Sequence, residues 1–311
     1  MLEHFQQRKE QVTAALTRLA EIADDLGMAS LRVDIEGARL PKLAEGRFNL
    51  VILGEFNHGK STFVNALLGE ELVPMGITPT TATINHIVHG EAAKARVVLR
   101  DGGTKEIPAA QLAEYVTLEG EHVSEEIRFV ELSYPAELLR DRITLVDTPG
   151  VNDINQARAE VTYSYIPRAD AVIFLLDSTQ VLKQSERTFI QRRLLKRNRD
   201  KLIFVLGKVD LIDADEQAQA LAFAEEHLAA VLPDPQIFAL SARKHLEGDK
   251  ESSGMAPLLA HLQRFLHEER GRVLLDNAAN DAKRTIAYLQ SSIGIKRGSL
   301  ELTLEELDQR V

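Results

Sequence analysis

The chain has 311 residues and a mass of 34.6 kDa, about twice a common single-domain length, so one large domain with an appendage or two domains is expected. Its 44% hydrophobic and 27% charged residues are a globular composition, which excludes a disordered or fibrous chain. The 47 acidic against 37 basic side chains give a formal charge of −10, which argues against a general nucleic-acid surface while leaving room for a local basic patch, and the absence of cysteine excludes disulfides, thiol catalysis and cysteine-held zinc.

The N-terminus lacks the apolar core of a secretory signal, and no apolar run approaches the roughly 18 residues of a membrane-spanning helix. A cytoplasmic location is therefore expected. The first 26 residues carry Val12, Leu16, Leu19, Ala23 and Leu26 at helical steps. A looser stretch follows, which Pro41 is expected to break.

Strand patterns then fall at 48–53, 83–88, 96–100, 127–132, 143–146, 172–176, 202–206 and 237–240, with a hairpin turn at Asp101-Gly102-Gly103. Helical patterns cover 61–68, 186–197 and 216–232. Their alternation predicts an α/β fold with a mainly parallel central sheet flanked by helices. From about residue 257 the pattern is helical to the end, with Ile286, Leu289, Ile293, Leu300, Leu304, Leu307 and Val311 on one stripe. Lys296 interrupts that stripe, and Gly294 and Gly298 are expected to weaken or bend the helix. Each flanking helix presents one apolar stripe, so the two are expected to pair antiparallel. A stripe still running at Val311 suggests a longer bundle or a covering partner.

The chemistry concentrates in Gly54-Glu55-Phe56-Asn57-His58-Gly59-Lys60-Ser61, followed by Thr62. The two glycines let successive N–H groups cradle phosphates. Lys60 reaches the β- and γ-phosphates, and Ser61 offers its hydroxyl to Mg²⁺ at the positive end of a helix. Asp147-Thr148-Pro149-Gly150 follows the strand at 143–146. Asp147 can hold Mg²⁺ through water, and the Gly150 amide can sense the γ-phosphate. In Pro79-Thr80-Thr81, Thr81 is the preferred further Mg²⁺ ligand.

Lys208-Val209-Asp210 follows the strand at 202–206. A carboxylate there accepts from N1–H and the 2-amino group of guanine, whereas adenine offers neither donor. Gly207 stands where a bracing Asn or Thr is usual, which predicts weaker affinity. Backbone N–H groups of Ser241-Ala242-Arg243 complete the base pocket. His58 is read as an exposed loop histidine, His86 and His89 as packing or solvent-facing, and Arg192-Arg193 with Lys196-Arg197 and Arg199 as a solvated face.

These residues, with Leu68-Gly69 and Val73-Pro74, resemble the GTPase end of bacterial dynamin-like proteins. The resemblance implies a neck helix and linker at 1–46, a GTPase domain at 47–250, and C-terminal helices at 251–311 packing with the first helix. It implies GTP and GDP as substrate and product with Mg²⁺, and a nucleotide-dependent homodimer across the GTPase face. Membrane binding is expected only through regions outside this chain, with membrane association in the intact assembly and no nucleic-acid partner. The glutamine that Ras-like enzymes place after the third motif's glycine is Val151 here, so Asn57 is the candidate for orienting water beside Lys60 and Thr81. The alternatives are a ribosome- or RNA-associated GTPase and a non-hydrolysing nucleotide-gated assembly module.

Overall fold

The computed structural model describes residues 2–75, 83–117, 120, 122, 126–151, 156–195 and 201–308. They form two compact units, residues 1–47 with 268–311, and residues 48–267. The second unit thus keeps residues 251–267, which the sequence reading had grouped with the C-terminal helices.

The larger unit is a nine-stranded sheet of β1 (Phe48–Gly54), β2 (Asn85–His89), β3 (Lys94–Leu99), β4 (Thr104–Ile107), β5 (Ile127–Tyr134), β6 (Ile143–Asp147), β7 (Ala171–Asp177), β8 (Leu202–Gly207) and β9 (Gln236–Ala239). Its order is β4-β3-β5-β2-β6-β1-β7-β8-β9. The core strands β6-β1-β7-β8-β9 are all parallel, and β2 joins them antiparallel through β6. The unbroken apolar runs of β7 and β8 are buried at every position, as a parallel sheet covered on both faces requires. Val51, Val146, Phe174, Phe189 and Phe204 share one core there. The polar β4 pairs at the sheet edge with one of its four residues buried, and alternation alone did not reveal it.

Helices join the strands: α4 (Lys60–Leu68), α5 (Leu112–Val116), α6 (Gln156–Tyr165), α7 (Gln184–Phe189), α8 (Ala214–Ala229), α9 (Ala242–Leu246) and α10 (Met255–Glu268). A π turn, Ile190–Leu194, continues α7, so the expected helix over 186–197 changes its winding midway. Asp213 caps α8 by accepting from the Glu216 N–H, a polar N-terminus legible in the sequence.

The smaller unit holds α1 (Leu2–Asp25), α2 (Ala29–Asp34), α3 (Leu40–Glu45) and α11 (Arg270–Asp308). Pro41 does not break the helical path. It sits in the first turn of α3, where its missing N–H costs nothing, behind a π turn at Ile35–Arg39. Gly294 and Gly298 lie within an uninterrupted α11. Leu16, Leu19, Ala20, Leu274, Leu275, Ala282 and Leu289 form the buried seam, whereas Ile286 and Ile293 are exposed.

The pairing of α1 and α11 is parallel, not antiparallel. Arg8 pairs with Asp276 at 3.2 Å, and further along both helices the Lys296 Nζ donates to the Leu26 carbonyl at 2.7 Å. The reason lies in α2 and α3, which return the chain to the starting end of α1, where Lys9 donates to the Ala44 carbonyl. Lys296, the interruption of the apolar stripe, supplies a cation to the C-terminal end of α1.

Candidate nucleotide-binding site

The site gathers at the C-terminal ends of β1, β6, β7 and β8, where a doubly wound sheet opens its crevice. β1 delivers Gly54 against β7 so closely that a Cβ would stand 2.9 Å from the Leu175 carbonyl oxygen. Gly59 then starts α4 at φ +77° with no side-chain cap. The N-terminal turn of α4, with the positive end of its helix dipole, therefore faces the loop with no side chain covering it. The Lys60 ammonium is folded across the loop, donating to the carbonyls of Gly54 at 3.0 Å and Glu55 at 2.8 Å. Asn57 is exposed at φ +61°, a conformation its short polar side chain tolerates.

The DTPG turn is stitched to this loop. Val151 N–H donates to the Gly54 carbonyl at 3.1 Å, and Thr148 Oγ1 donates to the Ile52 carbonyl at 2.9 Å. At Gly150 a Cβ would meet the Phe56 nitrogen at 2.9 Å. Asp147 is buried at the end of β6, opposite Ile52 of β1, and accepts from the Asn85 amide at 3.2 Å. Ser61 in the first turn of α4 and Asp147 therefore flank one strand end with a hydroxyl and a carboxylate. Hard oxygen donors of this kind fit Mg²⁺. Thr81, Thr80 and Pro79 lie outside the described residues.

On the other side, a cavity of about 210 Å³ is lined by Thr62, Gly207, Lys208, Asp210, Leu240, Ala242 and Arg243, with His58 and Gly59 at its phosphate-loop end. The Lys208 ammonium donates to the Asn57 carbonyl at 2.5 Å and to Asp177 Oδ2 at 2.7 Å, tying this cavity to the glycine loop at 54–61. Burial opposes ionisation of Asp177, but hydrogen bonds from Lys208 and Thr179 hold its carboxyl below the ordinary value. Ser178 supplies the brace expected to be missing at Gly207. Its N–H donates to the Gly207 carbonyl at 3.1 Å and its hydroxyl to the Lys208 carbonyl at 3.0 Å. Ser241 is buried and caps α9, accepting from the Lys244 N–H at 3.1 Å, so it shapes the pocket from behind.

His58 corrects the sequence reading, being only 3% exposed. Its Nδ1 lies 3.2 Å from the Leu175 carbonyl oxygen, which can only accept, so Nδ1 carries the proton. The same nitrogen is 3.4 Å from Glu186 Oε1 on α7, whose other oxygen accepts the Lys183 N–H at 2.8 Å. Donor atoms of Glu55, His58 and Glu186 lie within 4.8 Å of one another, with Lys183 Nζ 3.7 Å from Glu55. Burial pushes His58 down to about 4 and Glu186 up to about 7. The loop thus rests on a buried neutral histidine beside a carboxyl whose charged form burial disfavours. Glu186, Asp177 and Ser178 carry no motif of their own; Glu186 could be found only as a carboxylate three residues past a helix start.

The sequence pattern of the dynamin family matches residues 50–209. An uncharacterised protein of Caldicellulosiruptor sp. is 32% identical over 266 residues, covering 82% of this chain and 65% of that protein. The bacterial dynamin-like protein of Nostoc punctiforme is 26% identical over 100% of this chain and 51% of its own length. Dynamin-like protein A of Bacillus subtilis is 25% identical over 89% and 30%. The chain spans less than two thirds of the length of each of these relatives. A solved oligomerised bacterial dynamin pair, described as sensing and tethering membranes, shares the fold with a TM-score of 0.58 at 21% identity, over 98% of this chain and 51% of its own. The phosphate loop, the DTPG turn and β8 all fall inside the matched segment, and the chain belongs to the dynamin family of GTPases.

Proposed function

We propose that the α/β unit binds GTP with Mg²⁺ and hydrolyses it to GDP and phosphate, and that pairing of two such units across their nucleotide faces raises the rate. The observation that carries this reading is the convergence of Lys60, the Gly150 turn and Asp210 on one edge of the sheet. Lys60 and the loop amides stabilise charge developing on the γ-phosphate, while Asp210 selects guanine. Ser61, Asp147 and Thr81 would hold the metal, which neutralises phosphate charge when bound. The helical unit is the base of a neck that couples turnover to membrane remodelling.

Activation by pairing is supported by what the described residues of the solitary site lack. Val151 is fully buried and apolar, so it cannot orient water. Asn57 brings no positive charge to the loop, and a missing arginine finger is worth ~10³–10⁵ in rate. Completing the site from a second copy offsets the cost of ordering its loops only when the γ position is filled. The apo and GDP states are therefore monomeric, and GTP or GDP–metal fluoride gives dimers. Light scattering in the four nucleotide states, with turnover measured over a hundredfold protein range, tests this. Specific activity that climbs with concentration is expected; a constant value with an unchanging monomer mass sinks the pairing mechanism. Thr81→Ala abolishes both turnover and pairing.

A further inference from the structure

The carboxylate that would read guanine is already engaged. Arg243 Nη2 donates to Asp210 Oδ2 at 2.8 Å across the mouth of the base cavity. The two partners differ in environment: the Asp210 side chain is 6% exposed and that of Arg243 60%. Arg243 lies in the first turn of α9, whose register is fixed by the Ser241 cap, so the base of its side chain is anchored while its guanidinium, 60% exposed as a side chain, reaches out to Asp210. One turn along the same helix, Glu247 Oε1 lies 3.8 Å from Arg243 Nε and offers a second seat for the charge.

Guanine presents two donors, N1–H and the 2-amino group, and needs both oxygens of one carboxylate. A guanidinium on Oδ2 removes one of them. We propose that Arg243 is a latch on the base pocket, held on Asp210 in the nucleotide-free chain and transferred to Glu247 when guanine enters. The latch rests on the guanine reading of Asp210 and assigns Arg243 a specificity role beyond the backbone contact expected of it. It also sets a graded selectivity. Hypoxanthine lacks the 2-amino group and needs a single carboxylate oxygen, so it can bind beside the latch without displacing it.

The test is stopped-flow binding of fluorescent GDP and IDP to the full chain and to Arg243→Ala. The Arg243 end of the pair is open to solvent, which screens it, so the pair is worth about fivefold in an equilibrium constant. Removing the latch is expected to strengthen GDP binding about two- to fivefold, mainly through faster association, with IDP little changed. The two nucleotides carry the same charge, so IDP corrects for the cation lost from the pocket. Glu247→Gln removes the second seat and is expected to slow GDP association. Weaker GDP binding with faster dissociation in Arg243→Ala would show that Arg243 holds the bound base, and an equal change for GDP and IDP would show a pure charge effect; either overturns the latch. Binding of ADP by the unmodified chain as tightly as GDP would instead refute the guanine reading itself.

Discussion

The buried pair beneath the phosphate loop makes an unusual prediction about pH. His58 titrates at about 4 in the folded chain against 6.5 ordinarily, and Glu186 at about 7 against 4.5. Burial is the first cause of both displacements. Between pH 4.5 and 6.5 the unfolded pair holds one proton, on the histidine, and the folded pair also holds one, on the carboxyl. Equal proton counts mean that the pair contributes almost no pH dependence to stability. Each single substitution exposes the opposite slope. The Glu186 term, a raised carboxyl, favours folding at low pH and is lost as pH climbs from 4.5 to 7. Deleting it in Glu186→Gln makes stability rise with pH relative to the wild type, by about 3 kcal/mol across that window. The His58 term, a depressed imidazole, disfavours folding when acid and is relieved as pH climbs from 4 to 6.5. His58→Gln therefore makes stability fall relative to the wild type, by about 3 kcal/mol. Urea melts of the nucleotide-free proteins from pH 4.5 to 7.5 measure both differences. Two variants whose curves stay parallel to the wild type would refute the reasoning and mean that the pair is held as imidazolium and carboxylate.

Other substitutions probe single contacts. Gly150→Ala puts a methyl group 2.9 Å from the Phe56 nitrogen, so the DTPG turn must part from the phosphate loop at about 1–3 kcal/mol, and fluorescence titration should show GDP binding weakened about tenfold. Asn57→Gly keeps the left-handed loop and deletes the side chain; it should lower turnover while leaving GTP affinity unchanged. Asn57→Ala adds about 1 kcal/mol of backbone strain and is the poorer variant for that comparison. Leu289→Ala removes a buried leucine from the α1–α11 seam and should cost the helical unit about 2–5 kcal/mol in a thermal melt, with GDP affinity unchanged.

What the sequence disclosed and what it hid divide along one physical line. The glycine loop at 54–61, the DTPG turn and Lys208-Val209-Asp210 stand out in the sequence because each is a short run of fixed spacing at a strand end. The apolar runs of β1, β7 and β8 were legible because burial on both faces leaves no alternation to misread. His58 was misread because nothing local shows that β7 and α7 close over it with Leu175 and Glu186. The brace by Ser178 was hidden for the same reason, since its partners are the last residue of β8 and the one after it. The direction of α11 against α1 could not be inferred from two apolar stripes, because stripes carry no polarity. It is set by the return path of α2 and α3, which reads as loose sequence around a proline. Lys296 looked like a fault in a stripe until its carbonyl partner at Leu26 was seen.

The central claim is that this edge of the sheet reads guanine through one carboxylate and supports its triphosphate with Lys60. Exchanging Asp210 for asparagine tests it most directly, because Asp210→Asn turns an acceptor pair into a donor and an acceptor while leaving the phosphate loop untouched. Calorimetric titration of both proteins with GTP, XTP and ATP is the measurement. The wild type should prefer GTP, Asp210→Asn should lose GTP and gain XTP, and both should exclude ATP. Undiminished GTP binding by Asp210→Asn, or ATP binding by the wild type as tight as GTP, would contradict the claim.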